Sequence, residues 1–150
     1  MKKYSFKLER LLKIKEYKER IAEENYAKEL QKKIILEQEN INMKKLVEKD
    51  IESDFINEKI GEKIDINYFH QHERYVRSLE LKIEQNKAKI REYEPGIKKL
   101  QDELIEATKE KKIMEKLKEK DYEKYKDEKN KYDTKVIDEI AGIIQNRKES

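Results

Sequence analysis

The chain has 150 residues, 47% of them charged and 35% hydrophobic, with a mean hydropathy of −1.19 and a net charge of +3. So few apolar side chains cannot fill an ordinary globular core, which leaves a disordered polyampholyte or extended helices sharing a narrow apolar stripe. Cysteine is absent, which excludes disulfides and thiolate chemistry, and no apolar run approaches the ~20 residues that span a bilayer.

Residues 1–60 contain no Gly or Pro, and they carry 15 Lys/Arg against 13 Asp/Glu. The basic start has no apolar segment behind it, so the chain is expected to stay in the cytosol. Apolar residues run through Tyr4, Phe6, Leu8, Leu11, Leu12, Ile14, Tyr17, Ile21 and Ala22, then Tyr26, Leu30, Ile34, Ile35, Ile41, Leu46, Val47, Ile51, Phe55 and Ile56, several of them recurring every three or four positions. This predicts a first helix over about 4–60, with a stripe whose register drifts rather than a strict heptad. Glu9/Lys13, Glu16/Arg20, Glu24/Lys28 and Glu29/Lys33 place Glu first at i,i+4, the better orientation for stabilising an exposed helix face.

Residues 61–67 then break the pattern, with Gly61 at their start and Asp65 or Asn67 able to cap a second helix. One break between two long helices predicts an all-α fold. The expected form is a single long antiparallel two-helix coiled-coil hairpin over 1–150, with a projecting C-terminal helix end.

The second helix is predicted over about 68–145. Counting alternately three and four from Val76 gives Leu79, Ile83, Asn86, Ile90, Tyr93, Ile97, Leu100, Leu104, Ala107, Lys111 and Met114, a sustained a/d seam. Asn86 and Lys111 are polar interruptions, read either as register-setting or as tolerance at a loose seam. Pro95 and Gly96 fall within the seam without changing its phase, so a kink rather than a second turn is expected there. With the turn near residue 64, Met1 would lie near Lys126, and about 24 residues would project beyond a paired rod roughly 90 Å long. Their stripe of Tyr125, Tyr132, Val136, Ile140 and Ile143, with Ile137, Ala141 and Ile144 beside it, is a candidate protein-binding surface. The alternatives are that the N-terminus shifts to cover it or that the tail frays.

The residues of an enzyme are missing. There is no phosphate-binding glycine loop, and no Ser has a neighbouring His. His70 and His72 point to different faces of a helix, a poor arrangement for a metal. No cofactor is implied. Residues 61–150 carry 22 Lys/Arg against 21 Asp/Glu, so neither arm is a basic field for nucleic acid or membrane, and the run Lys109 to Lys112 reads as a solvated face.

Three segments carry a family resemblance. Tyr4-Ser-Phe-Lys-Leu-Glu-Arg-Leu-Leu12 with Ile14 and Glu16 resembles the start of FliJ proteins of the bacterial flagellar export apparatus. Tyr75 to Gln85 resembles the start of their second helix, and Asn130 to Ala141, with Asp138-Glu139, looks like their closing signature. The resemblance implies a coiled coil similar to the central stalk of rotary ATPases. In that family the end bearing both termini enters the ring of the export ATPase, FliI, and promotes its activity. It further implies contact with the export gate, FlhA, and escort of substrate chaperones at the inner face of the membrane, without insertion. By the same resemblance Phe6, Leu8, Leu11, Leu12, Asp138, Glu139 and Ile140 would lie at the ATPase end. The projecting stripe adds Tyr132, Val136 and Ile143. Tyr75, Leu79, Lys82 and Asn86 would match gate-binding positions, although the seam puts Asn86 inside. The competing expectations are the equivalent stalk of a virulence-type secretion system and a structural spacer that self-associates in parallel.

Overall fold

The computed structural model describes the backbone of residues 2–59 and 66–149, with side chains throughout except at 52–59. Two helices make up the fold, α1 (Glu9–Lys59) and α2 (Ile66–Glu149), packed against each other as a hairpin-like coiled coil. Residues 61–65 of the expected turn lie outside the described residues, as does the cap candidate Asp65. Asn67 falls inside the first turn of α2 rather than before it.

The helices contribute to two compact units, Met1–Ala22 with Leu104–Ser150, and Glu23–Glu103. In the first unit Glu9 pairs with Lys118 at 2.9 Å and Lys15 with Glu110 at 2.9 Å, so α2 descends as α1 rises. In the second, Asn40 faces Asn86 and Asp50 faces His72, again antiparallel.

The seam of α2 follows the three–four count from Val76. Leu79, Ile83, Asn86, Ile97 and Met114 are buried, and Val76, Ile90, Tyr93, Leu100, Leu104, Ala107 and Lys111 are half-buried. The helix passes through Pro95 without a second break, and burial keeps its phase from Tyr93 to Ile97. Proline removes one backbone donor there, a loss confined to a single turn.

The seam of α1 differs from the drifting stripe that hydrophobicity suggests. Its protected positions include Leu12, Lys15, Glu19, Ala22, Tyr26, Glu29, Lys33, Leu36, Asn40, Met43, Val47 and Asp50, a three–four alternation, with Glu9 and Leu30 half-buried besides. Half of these are polar, and they are tolerated because α2 supplies partners for several of them. Meanwhile Ile14, Tyr17, Ile34, Ile35, Ile41, Leu46 and Ile51 are exposed. The constraint of facing one partner helix along its whole length outweighs local hydrophobicity.

Two of the four expected i,i+4 pairs, Glu9/Lys13 and Glu29/Lys33, are redirected. Glu9 goes to Lys118 of α2, Glu29 to Lys32 and Lys33 to Glu37. The run Lys109 to Lys112 is only partly solvated, because Glu110 and Lys111 both bond to α1. Helix α1 begins at Glu9, not near Tyr4. Phe6 accepts a bond from the Glu9 amide at 3.2 Å, and Leu8 accepts the first helical bond from the Leu12 amide at 2.9 Å. Residues 2–8 form a non-helical arm, because the Tyr4 ring finds partners on α2 that a helical path would not reach.

Candidate protein-binding surfaces

Within the first unit the N-terminal arm is fastened by aromatic side chains. The Tyr4 ring meets Tyr122 edge-on at 5.0 Å and Tyr125 at 5.3 Å. Such pairs add about 0.5–1.5 kcal/mol beyond the area they bury. The Tyr4 hydroxyl donates to the Lys118 carbonyl and to Asp121, both at 3.2 Å, and the Tyr125 hydroxyl donates to the Lys2 carbonyl at 2.7 Å. Desolvation, followed by the hydrogen bond to Asp121, raises the Tyr4 phenol above its ordinary value. The arm therefore covers Tyr125, the first residue of the stripe expected to be free.

Beyond it the stripe is open. Tyr132 is 50% exposed, Ile140 52% and Ile143 55%, with Ile137 and Ile144 equally uncovered and Val136 half-buried. Asp138 and Glu139 lie exposed on the same helical stretch. Continuous helix to Glu149 means that this tail does not fray in the structure. Of the residues matched to the ATPase end on the arm and α1, Leu12 is buried in the seam, Phe6 is half-buried, and Leu8 and Leu11 are exposed. The structure thus brings Leu8 and Leu11 to the surface but commits Leu12 to packing.

Within the second unit the four gate-type positions separate into two pairs. Tyr75 and Lys82 face outward, whereas Leu79 and Asn86 are buried. Asn86 donates to Asn40 at 3.0 Å and to Glu39 at 3.1 Å, and Asn40 donates to the Ile83 carbonyl at 3.4 Å. This closed polar knot is the arrangement that the register-setting reading of Asn86 calls for. Only one offset of the helices lets both amides bond.

Lys111 behaves likewise. Its ammonium donates to Glu19 at 2.7 Å. That bond holds the Glu19 carboxyl below its ordinary value and the Lys111 ammonium above its own. The bond from Lys15 lowers Glu110 in the same way. Neither Asn40 nor Glu19 stands out in an apolar reading. Counting threes and fours from Leu12 finds both.

Among the described residues no group of three His, Cys, Asp or Glu is placed to hold a metal, and no helix is long and apolar enough to cross a membrane. His70 lies near Glu73 at the surface, while the His72 Nδ1 stands 3.9 Å from Asp50 in the seam, so the two imidazoles do not converge.

Comparison with known proteins gives one match. The family model described as FliJ, Flagellar FliJ protein, matches residues 4–150. Neither the curated proteins nor the solved structures searched gave a match.

Proposed function

The chain belongs to the FliJ family, components of the flagellar export apparatus, and we propose that it acts there as a stalk-like coiled coil that binds and stimulates the export ATPase ring, FliI. The observation that carries this reading is the open apolar stripe of α2 beyond Tyr125. Side chains that would cost free energy in water stand on a continuous helix with nothing over them, as a helix-in-groove contact requires. Tyr132, Val136, Ile140 and Ile143 form the contact, and Leu8 and Leu11 add a separate exposed group further back along α2, where Leu8 lines one groove with Leu117. Asp138 and Glu139 orient it, and Phe6 and Leu12 hold the arm and helix in place.

A second contact, with the export gate FlhA, would use Tyr75 and Lys82 directly. Leu79 and Asn86 would fix the helix surface from which those two project. In this reading the protein works at the inner face of the membrane without entering it, and escort of substrate chaperones is a further role. The match to a flagellar family favours this over a virulence-type system.

The test is ATPase turnover of the purified ring with and without the protein. Turnover is expected to rise on addition. Ile140→Asp with Ile143→Asp should return it to the basal rate while circular dichroism keeps its helical signal. A wild-type chain that leaves turnover unchanged would sink the proposal.

A further inference from the structure

The root of the tail stripe is not bare. Tyr122 and Ile140 are eighteen residues apart, as are Tyr125 and Ile143, and that spacing is about five turns of α-helix. Because α2 runs unbroken to Glu149, the two tyrosines repeat the position of the two isoleucines on one helical face. Tyr132 and Val136 fall on the same face, about two and three turns beyond Tyr125. The face is one apolar strip from Tyr122 to Ile143. Its far part is open, and its near part carries the N-terminal arm.

The arm is fastened there by very little. The Tyr4 ring lies against Tyr122 and Tyr125, and its hydroxyl bonds the Lys118 carbonyl and Asp121. The Tyr125 hydroxyl holds the Lys2 carbonyl. Among the described residues no backbone–backbone hydrogen bond joins residues 2–5 to α2; those of the arm, from Phe6 and Leu8, belong to the start of α1. An open groove lined by Lys3 and Ser5 of the arm and by Lys124 and Glu128 of α2 keeps residues 2–5 from lying flush. The segment is thus anchored at Phe6 and seated through Tyr4, by ring contacts that another apolar side chain can replace.

A helix laid along the strip from Ile143 meets Tyr125 next after Tyr132. It cannot pass further while the Tyr4 ring and the Lys2 backbone stand over that residue. We propose that Tyr122 and Tyr125 are a covered part of the ATPase contact, and that residues 2–5 are a strap which the ATPase displaces to reach them. The proposal rests on the reading of the tail stripe given above. In the free chain the strap keeps the Tyr125 ring from water. In the complex the partner's apolar side chains take the seat of Tyr4, and lifting the strap subtracts from the affinity.

The test is tyrosine nitration by tetranitromethane on the full chain, read residue by residue by mass spectrometry. In the free chain Tyr132 is expected to react several-fold faster than Tyr125. Tyr4→Ala should bring Tyr125 up to the rate of Tyr132 with the helical signal unchanged, whereas Tyr4→Phe, which keeps the ring, should leave Tyr125 slower. Adding the purified ATPase ring should protect Tyr132 and Tyr125 together and speed nitration of Tyr4 several-fold. The Tyr4→Ala chain should also bind the ring several-fold more tightly than the wild-type chain. Equal rates for Tyr125 and Tyr132 in the free wild-type chain would overturn the proposal, because nothing would then be covered. Protection of Tyr132 by the ring with Tyr4 still unreactive would overturn the strap and leave the ATPase contact standing. Weaker binding of Tyr4→Ala would do the same, making the arm part of the contact. If the ring leaves Tyr132 as reactive as before, the ATPase reading itself fails and the strap with it. A mass that doubles with concentration while Tyr132 becomes protected without the ring would give the stripe to a second copy and sink both.

Discussion

Asn86 and Asn40 are worth more as a pair than either is alone. Replacing Asn86 by Leu would leave the Asn40 Oδ1 without its donor in a buried seam, at a cost of about 1–3 kcal/mol in urea unfolding. Replacing both with Leu should recover most of that stability, because two apolar side chains then meet. The loss would appear elsewhere: spin labels on α1 and α2 within Glu23–Glu103 should broaden from one distance to several, as the register is no longer pinned.

Glu19 and Lys111 give a pH signature. The folded-state value of Glu19 is lowered from 4.5, so its contribution is complete above that value and is lost as pH falls through the folded value. Lys111 is raised from 10.5, so its contribution is complete below that value and is lost as pH rises through the folded one. The melting temperature should therefore be flat between the two and decline on both sides. Glu19→Gln should flatten both declines, which thermal melts across pH would read directly.

At the scale of the helix, what the sequence made legible depended on how many seam positions were apolar. In α2 ten of the twelve positions counted from Val76 to Met114 are hydrophobic, so counting found the seam and the structure keeps it through Pro95. In α1 the polar positions Lys15, Glu19, Glu29, Lys33, Asn40 and Asp50 occupy the seam, and following hydrophobicity led instead to Ile14, Tyr17 and Ile35 on the outside. The reason is physical: a polar residue at a seam is stabilised by its partner, and the partner sits some ninety residues away in the case of Lys15 and Glu110. The start of α1 was illegible for a similar reason, since Tyr4 leaves the helix for rings on α2. The tail stripe was legible because it packs on nothing among the described residues, so helical periodicity alone describes Tyr132, Ile140 and Ile143.

For the whole molecule, α1 and α2 are unequal partners in folding. Helix α2 carries a seam of ordinary coiled-coil quality, whereas α1 presents charges and amides that only α2 can satisfy. Tertiary packing, rather than intrinsic propensity, holds most protein helices together, and α1 has less amphipathicity of its own to offer. The alternating seam of α1 therefore works as an address written in polar side chains. If the chain were cut between the helices, the fragment 2–59 should be mostly coil by circular dichroism. On mixing with 66–149 it should become helical at an equimolar ratio. Lys15→Glu, placed opposite Glu110, should weaken that reassembly, and Glu110→Lys in the other fragment should restore it. Such a split chain would behave as a matched lock and key, with its specificity carried by the residues an apolar reading passes over.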